Sequence, residues 1–156
     1  RRVSFERLLS QYGYDPQASH DLVGRFLELR HDVTLYPDVV PALSALSKRF
    51  AVVAVSNGNA DVSRLGIGSY FRGQISASTA GVKKPDRRIF HMACELLKTD
   101  PAHVLHVGDH PLEDVIGAQQ AGLKAVWVNR NGDDWTHDET PHAEVNDLAQ
   151  LVEVLA

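Results

Sequence analysis

The sequence is short of the features that mark an unusual environment. Its single cysteine, Cys94, excludes an intramolecular disulfide framework and fits a reducing, cytoplasmic setting. The apolar run Ala51–Val55 falls far below the ~20 residues that cross a bilayer, and the first residues lack a signal-peptide pattern. No membrane association is therefore expected. With 16 basic against 20 acidic residues, a net charge of −4 and no basic stripe, nucleic acid is not an expected partner. Internal repeats and low-complexity tracts are absent too. The chain opens on Arg1-Arg2 rather than Met, which predicts a start inside a longer polypeptide.

What is present suits one packed α/β domain: 156 residues, 44% of them hydrophobic. Phe5, Leu8, Leu9 and Tyr12 recur at helical spacing, and Gly13 stands where a helix stops. A second helix is predicted from about residue 17 to 31, with Leu22, Phe26 and Leu29 on one face; Tyr36-Pro37 then breaks the pattern. Downstream the texture alternates. Strands are predicted at 51–55, 74–77, 103–107 and 124–128. Helices are predicted at 39–48, 86–97, 111–121 and from about Asn146. Alternating strands and helices imply βαβ units and a mainly parallel, doubly wound, Rossmann-like sheet. Ligands bind such sheets beyond the carboxyl ends of the strands, so the residues just after each strand matter most.

Three of those ends carry chemistry. Val55-Ser56-Asn57-Gly58-Asn59 offers a hydroxyl and loop donors to a phosphate oxygen, although Ser, Asn and Gly are also ordinary turn residues. Lys83-Lys84-Pro85-Asp86 precedes a helix; Pro85 and Asp86 suit a helix start, and Lys84 is either a cation near the strand ends or a surface lysine. Val107-Gly108-Asp109 ends a strand on a carboxylate, a hard ligand suited to Mg²⁺, with Glu113 and Asp114 in the first turn that follows. The helix dipole explains Glu113 and Asp114 well, but it explains Asp109 poorly.

In order and spacing, these segments resemble motifs two, three and four of the haloacid dehalogenase superfamily. Leu105-His106-Val107-Gly108-Asp109, Asp114-Val115, Gly117-Ala118 and Ala121-Gly122 are especially typical. The Ser-Asn-Gly-Asn form of motif two, and Trp127 followed by an Asn-Gly-Asp loop, look most like the bacterial FMN-phosphatase-like subgroup. The resemblance implies a Mg²⁺-dependent phosphatase of a small phosphorylated metabolite. In it Ser56, Lys84 and Asp114 are catalytic, and Ser56, Asn57, Gly58 and Lys84 bind phosphate. Asp109 and Asp114 serve the metal, with Asp114 orienting Lys84 or a metal-bound water. It also implies that residues 1–36 are part of an all-helical cap and 37–156 the core.

The superfamily's first motif, Asp-x-Asp, supplies the nucleophile and the general acid–base, and it does not occur in this sequence. By resemblance it belongs upstream of Arg1, on a strand between those ending at Ser56 and Asp109. Either the chain is a fragment of an ordinary enzyme or the protein is a natural pseudoenzyme acting as a binding module; the non-Met start, the half cap and the intact motifs two to four favour an inactive fragment of an active parent. Two other functions fit the same fold. 2-Haloacid dehalogenation needs no metal and is disfavoured by Gly108-Asp109; a receiver-like binding module is disfavoured by the helical insert. The histidines other than His110 show no metal-ligand spacing and read as surface or half-buried, whereas His110 should border the site. Cys94 reads as core packing, 129–142 as a loop, and Trp135 as its anchor.

Overall fold

The computed structural model describes residues 2–156. Two helices come first, α1 (Arg2–Gln11) and α2 (Ser19–Leu29), joined through Gly13 and a short 3₁₀ turn. They pack on each other through an edge-on contact of Phe5 and Phe26, with ring centroids 6.4 Å apart. Leu8, Tyr12, Leu22 and Leu29 remain exposed, so this pair does not bury all of its own apolar surface.

From α3 (Val39–Leu46) onward the chain alternates as expected: β1 (Val53–Ser56), β2 (Gly73–Ser76), α4 (Ala77–Ala80), α5 (Arg87–Leu97), β3 (Leu105–Gly108), a π-helical segment (Pro111–Ile116) running into α6 (Gly117–Gln120), β4 (Lys124–Val128), β5 (Ala143–Val145) and α7 (Leu148–Val154). Two of these elements were not predicted. β5 has three residues behind a long polar stretch, and α4 has four, held by a capping box between Ser76 and Thr79 and closed by Gly81 at φ 69°.

Every strand pairing is parallel. β4 shows why the fold is layered. Ala125 and Trp127 face one core with Ile89, Phe90, Val115 and Ala118, while Val126 and Val128 face another with Leu46, Val145 and Leu151. A strand buried on both faces reads as a continuous apolar run, as Ala125–Val128 does. Cys94 lies in the first core, where burial pushes its thiol up.

The sheet comes in two parts, β1–β2 and β3–β4–β5. Both parts end on the same side, because Asn57, just after β1, hydrogen-bonds Glu113, just after β3. Between β1 and β3 lies an open apolar cleft of about 630 Å³, lined by Val53, Val55, Leu105 and Val107 together with Leu43, Phe90 and Leu151. The facing edges of β1 and β3 have no strand partner among the described residues. No helix is long and apolar enough to cross a membrane among those residues.

Candidate active site

The site is assembled at the carboxyl ends of β1 and β3. At the end of β1, Ser56 Oγ accepts a hydrogen bond from Gly58 N at 2.9 Å, which leaves the hydroxyl proton free to be donated elsewhere. The Asn57 side chain turns across the site. Its Oδ1 accepts from Lys84 N at 2.7 Å, and its Nδ2 donates to Lys84 O at 3.0 Å and to Glu113 Oε2 at 2.8 Å. Asn57 thus clamps both faces of one residue's backbone. With the Asn57 side chain so occupied, the Ser56 hydroxyl and the loop backbone are what this motif has left to face an anion.

That clamped residue is Lys84. Its side chain is buried and pairs with Asp114, whereas Lys83 is exposed. The Lys84–Pro85 peptide is cis, and Pro85 packs against Gly117, where a Cβ would come within 2.8 Å of the proline ring. Gly117 is thereby explained: it makes room for the lysine loop, while Ala118 packs in the first core.

Asp114 is 3% exposed and fully engaged. Its Oδ1 accepts from Lys84 Nζ and from His106 Nε2 (2.9 Å), and its Oδ2 accepts from His110 N at 3.0 Å. Burial by itself would raise its pKa. The His106 hydrogen bond and the Lys84 charge outweigh that and hold the carboxyl well below the usual carboxylate range. Gly108 allows the approach, since a Cβ there would fall inside the Asp114 carboxyl group.

His106 was not singled out by any spacing in the sequence. It is the second residue of β3, stacked edge-on against Phe90 at 5.1 Å and bonded to the buried acid. A histidine inside an otherwise apolar strand was the only signal available. His110 does border the site, but its ring caps the next helical segment by accepting from Glu113 N at 3.2 Å.

Asp109 differs from Asp114. It is exposed, and its carboxylate accepts no hydrogen bond among the described residues. Its backbone is fixed instead: Trp127 Nε1 donates to Asp109 O at 2.9 Å, and Trp135 stacks on Trp127 with centroids 5.0 Å apart. A carboxylate with both oxygens open, on an anchored backbone, is a suitable hard donor for a divalent cation. The described residues contain no cluster of three or more potential metal ligands.

A parallel sheet between helical layers, with its polar groups gathered at the strand ends, defines a Rossmann-like α/β domain. The chain belongs to the haloacid dehalogenase-like hydrolase family, whose profile matches residues 4–122. It is similar to the 5-amino-6-(5-phospho-D-ribitylamino)uracil phosphatase YigB of Escherichia coli, at 32% identity over 88% of this chain and 59% of that protein. Among solved structures it is similar to a 2-haloacid dehalogenase from Pseudomonas syringae, with TM-score 0.90 and 42% identity over 99% of this chain and 69% of the other. YfnB from Bacillus subtilis, in a form bound to magnesium, matches with TM-score 0.79 and 26% identity over 99% of this chain and 70% of the other. The chain thus spans about three fifths of YigB's length.

Proposed function

We propose that the complete gene product is a magnesium-dependent phosphate-monoester hydrolase, of which this chain supplies the phosphate-binding and metal-binding groups but neither the nucleophile nor the general acid–base. The observation that carries this reading is the Asp114–Lys84 pair held beside Ser56 and Asp109 at the strand ends. Lys84, oriented by Asp114 and His106, offers one positive charge to a phosphoryl group and to an attacking carboxylate. Ser56 donates its free hydroxyl proton to a phosphoryl oxygen. Asp109 is the residue we assign to holding Mg²⁺, which when bound would supply positive charge against the phosphoryl oxygens. We assign Asp114 to orienting Lys84, because its oxygens are taken by N–H donors.

The attacking aspartate is proposed to lie on an additional parallel strand seated between β1 and β3. Two strand edges that are unpaired among the described residues flank an apolar cleft of about 630 Å³ there. Attack of that carboxylate on phosphorus displaces the alcohol and forms an aspartyl-phosphate, which water then hydrolyses to free phosphate. Residues 1–36 act as part of the helical cap, which fits the apolar side chains left exposed on α1 and α2. The substrate is a small phosphorylated metabolite, and the compartment is the cytoplasm.

Dehalogenation is the second reading, favoured by the likeness to the Pseudomonas syringae enzyme. One experiment separates the two: assay the complete gene product on p-nitrophenyl phosphate and on 2-chloropropionate, each with Mg²⁺ and with EDTA. Phosphate release that EDTA abolishes supports the phosphatase. Chloride release indifferent to EDTA overturns it.

A further inference from the structure

We propose that Arg30 is an anion-binding residue of the phosphate subsite, delivered from the helical segment to the phosphoryl group of a phosphate-monoester substrate held at Ser56. This rests on the phosphatase reading and adds to it a contact made from outside the sheet.

Arg30 follows the last turn of α2. A Cβ built on Gly58 would lie 2.8 Å from Arg30 Nη2 and 3.2 Å from Ser56 Oγ. The guanidinium and the Ser56 hydroxyl therefore both border the same point of the loop. Gly58 is not among the glycines with positive φ, so its backbone conformation does not demand glycine. What the glycine leaves is open space beside the arginine, whose flexible end reaches that point of the loop.

The guanidinium is not engaged where it stands. Its Nε is buried and has no hydrogen-bond partner. Arg25, Arg88 and Arg130 each pair with a carboxylate, of Glu28, Asp86 and Asp38. Arg30 makes no such pair among the described residues; its guanidinium carbon lies 5.6 Å from the Phe26 ring centroid instead. A buried donor without an acceptor is costly, and a guanidinium is the group best shaped for two phosphoryl oxygens. Lys84, by contrast, shares its charge with Asp114.

The neighbouring residue keeps Arg30 in place. His31 Nδ1 donates to Leu27 O at 2.8 Å, and its Nε2 accepts from Asp61 N at 3.0 Å. These two partners require a neutral ring with the proton on Nδ1. The ring pins the end of α2 to the loop that follows Ser56, so the arginine is presented by a fixed element.

The test compares wild type, Arg30→Gln and Arg30→Lys in the complete gene product. Inorganic phosphate affinity is measured by calorimetry, and KM and kcat with p-nitrophenyl phosphate. Arg30→Gln should weaken phosphate binding and raise KM by tenfold or more with a melting temperature close to wild type. Arg30→Lys should recover part of both. Phosphate affinity and KM within twofold of wild type in folded Arg30→Gln overturn the proposal, as does a wild type that binds no phosphate. Phosphate binding is read without turnover. An inactive gene product that binds phosphate through Arg30 therefore sinks the phosphatase reading alone, and an active one indifferent to Arg30 sinks this inference alone.

Discussion

Gly108 and Asp114 occupy each other's space: the missing side chain of one is where the carboxyl group of the other sits. The glycine before Asp109 is thus a packing requirement of the buried acid six residues later. Gly108→Ala should displace Asp114 from Lys84 and His106. Overpacking of this kind costs about 1–3 kcal/mol of stability. A fall in both melting temperature and phosphatase activity is expected; wild-type values of both would show that the pair tolerates the methyl group.

The two adjacent lysines should behave oppositely. Lys84 is buried on Asp114 and Lys83 is exposed. Lys84→Ala should abolish turnover of the complete gene product, while Lys83→Ala should stay within about twofold of wild type. Ser56→Ala should be milder than Lys84→Ala, since loss of one phosphoryl donor costs about 2.7–4 kcal/mol of transition-state stabilisation. Steady-state kinetics on the three variants orders them directly.

These positions differ in how legible they were beforehand. Ser56, Lys84, Asp109 and Asp114 stand at strand ends and helix starts, where residue type and spacing carry a signal, and the structure brings Lys84 and Asp114 into contact. Lys124–Val128 was legible to the residue because a strand buried on both faces is a plain apolar run. Ala143–Val145 was not, since three residues are too few to show a period. His106 and Arg30 were missed for another reason. Each acts through a partner distant in the chain, Asp114 and the Ser56 loop, and no local pattern encodes such a meeting.

The 156-residue chain by itself should not behave as a stable monomer. The open apolar cleft leaves Val53, Val55, Leu105 and Val107 incompletely buried, and full burial of each such side chain is worth about 1.5–3 kcal/mol. Across these side chains that is a sizeable part of the whole stability of a domain, about 5–15 kcal/mol. Open strand edges also invite pairing with other chains. Analytical ultracentrifugation should show self-association or aggregation; a monomer with a cooperative melt would contradict the expectation.

Asp38 should contribute stability that acid removes. Its carboxylate takes Arg130 in two bonds, of 2.6 and 3.2 Å, and accepts from Leu148 N at 2.9 Å, tying the start of the core to β4 and α7. The Arg130 hydrogen bond holds its pKa below the ordinary value. A group depressed on folding stabilises above its unfolded pKa of about 3.9 and loses that contribution as pH falls through the folded value. Asp38→Asn should therefore cost about 1.5–3 kcal/mol at pH 7. The gap to wild type should begin to narrow below about pH 4 and go on narrowing as pH falls through the folded value. Urea unfolding of the complete gene product at pH 7 and pH 3 measures that narrowing.

Trp127 and Trp135 are the only tryptophans in the sequence, and they touch. One of them holds the Asp109 carbonyl, so the intrinsic fluorescence of this chain originates beside the residue assigned to the metal. Light absorbed near 295 nm is thus a built-in optical probe of that loop, with no dye to attach. Titrating Mg²⁺ or phosphate while watching emission would follow occupancy in real time, and quenching or a spectral shift would track the Asp109 backbone specifically.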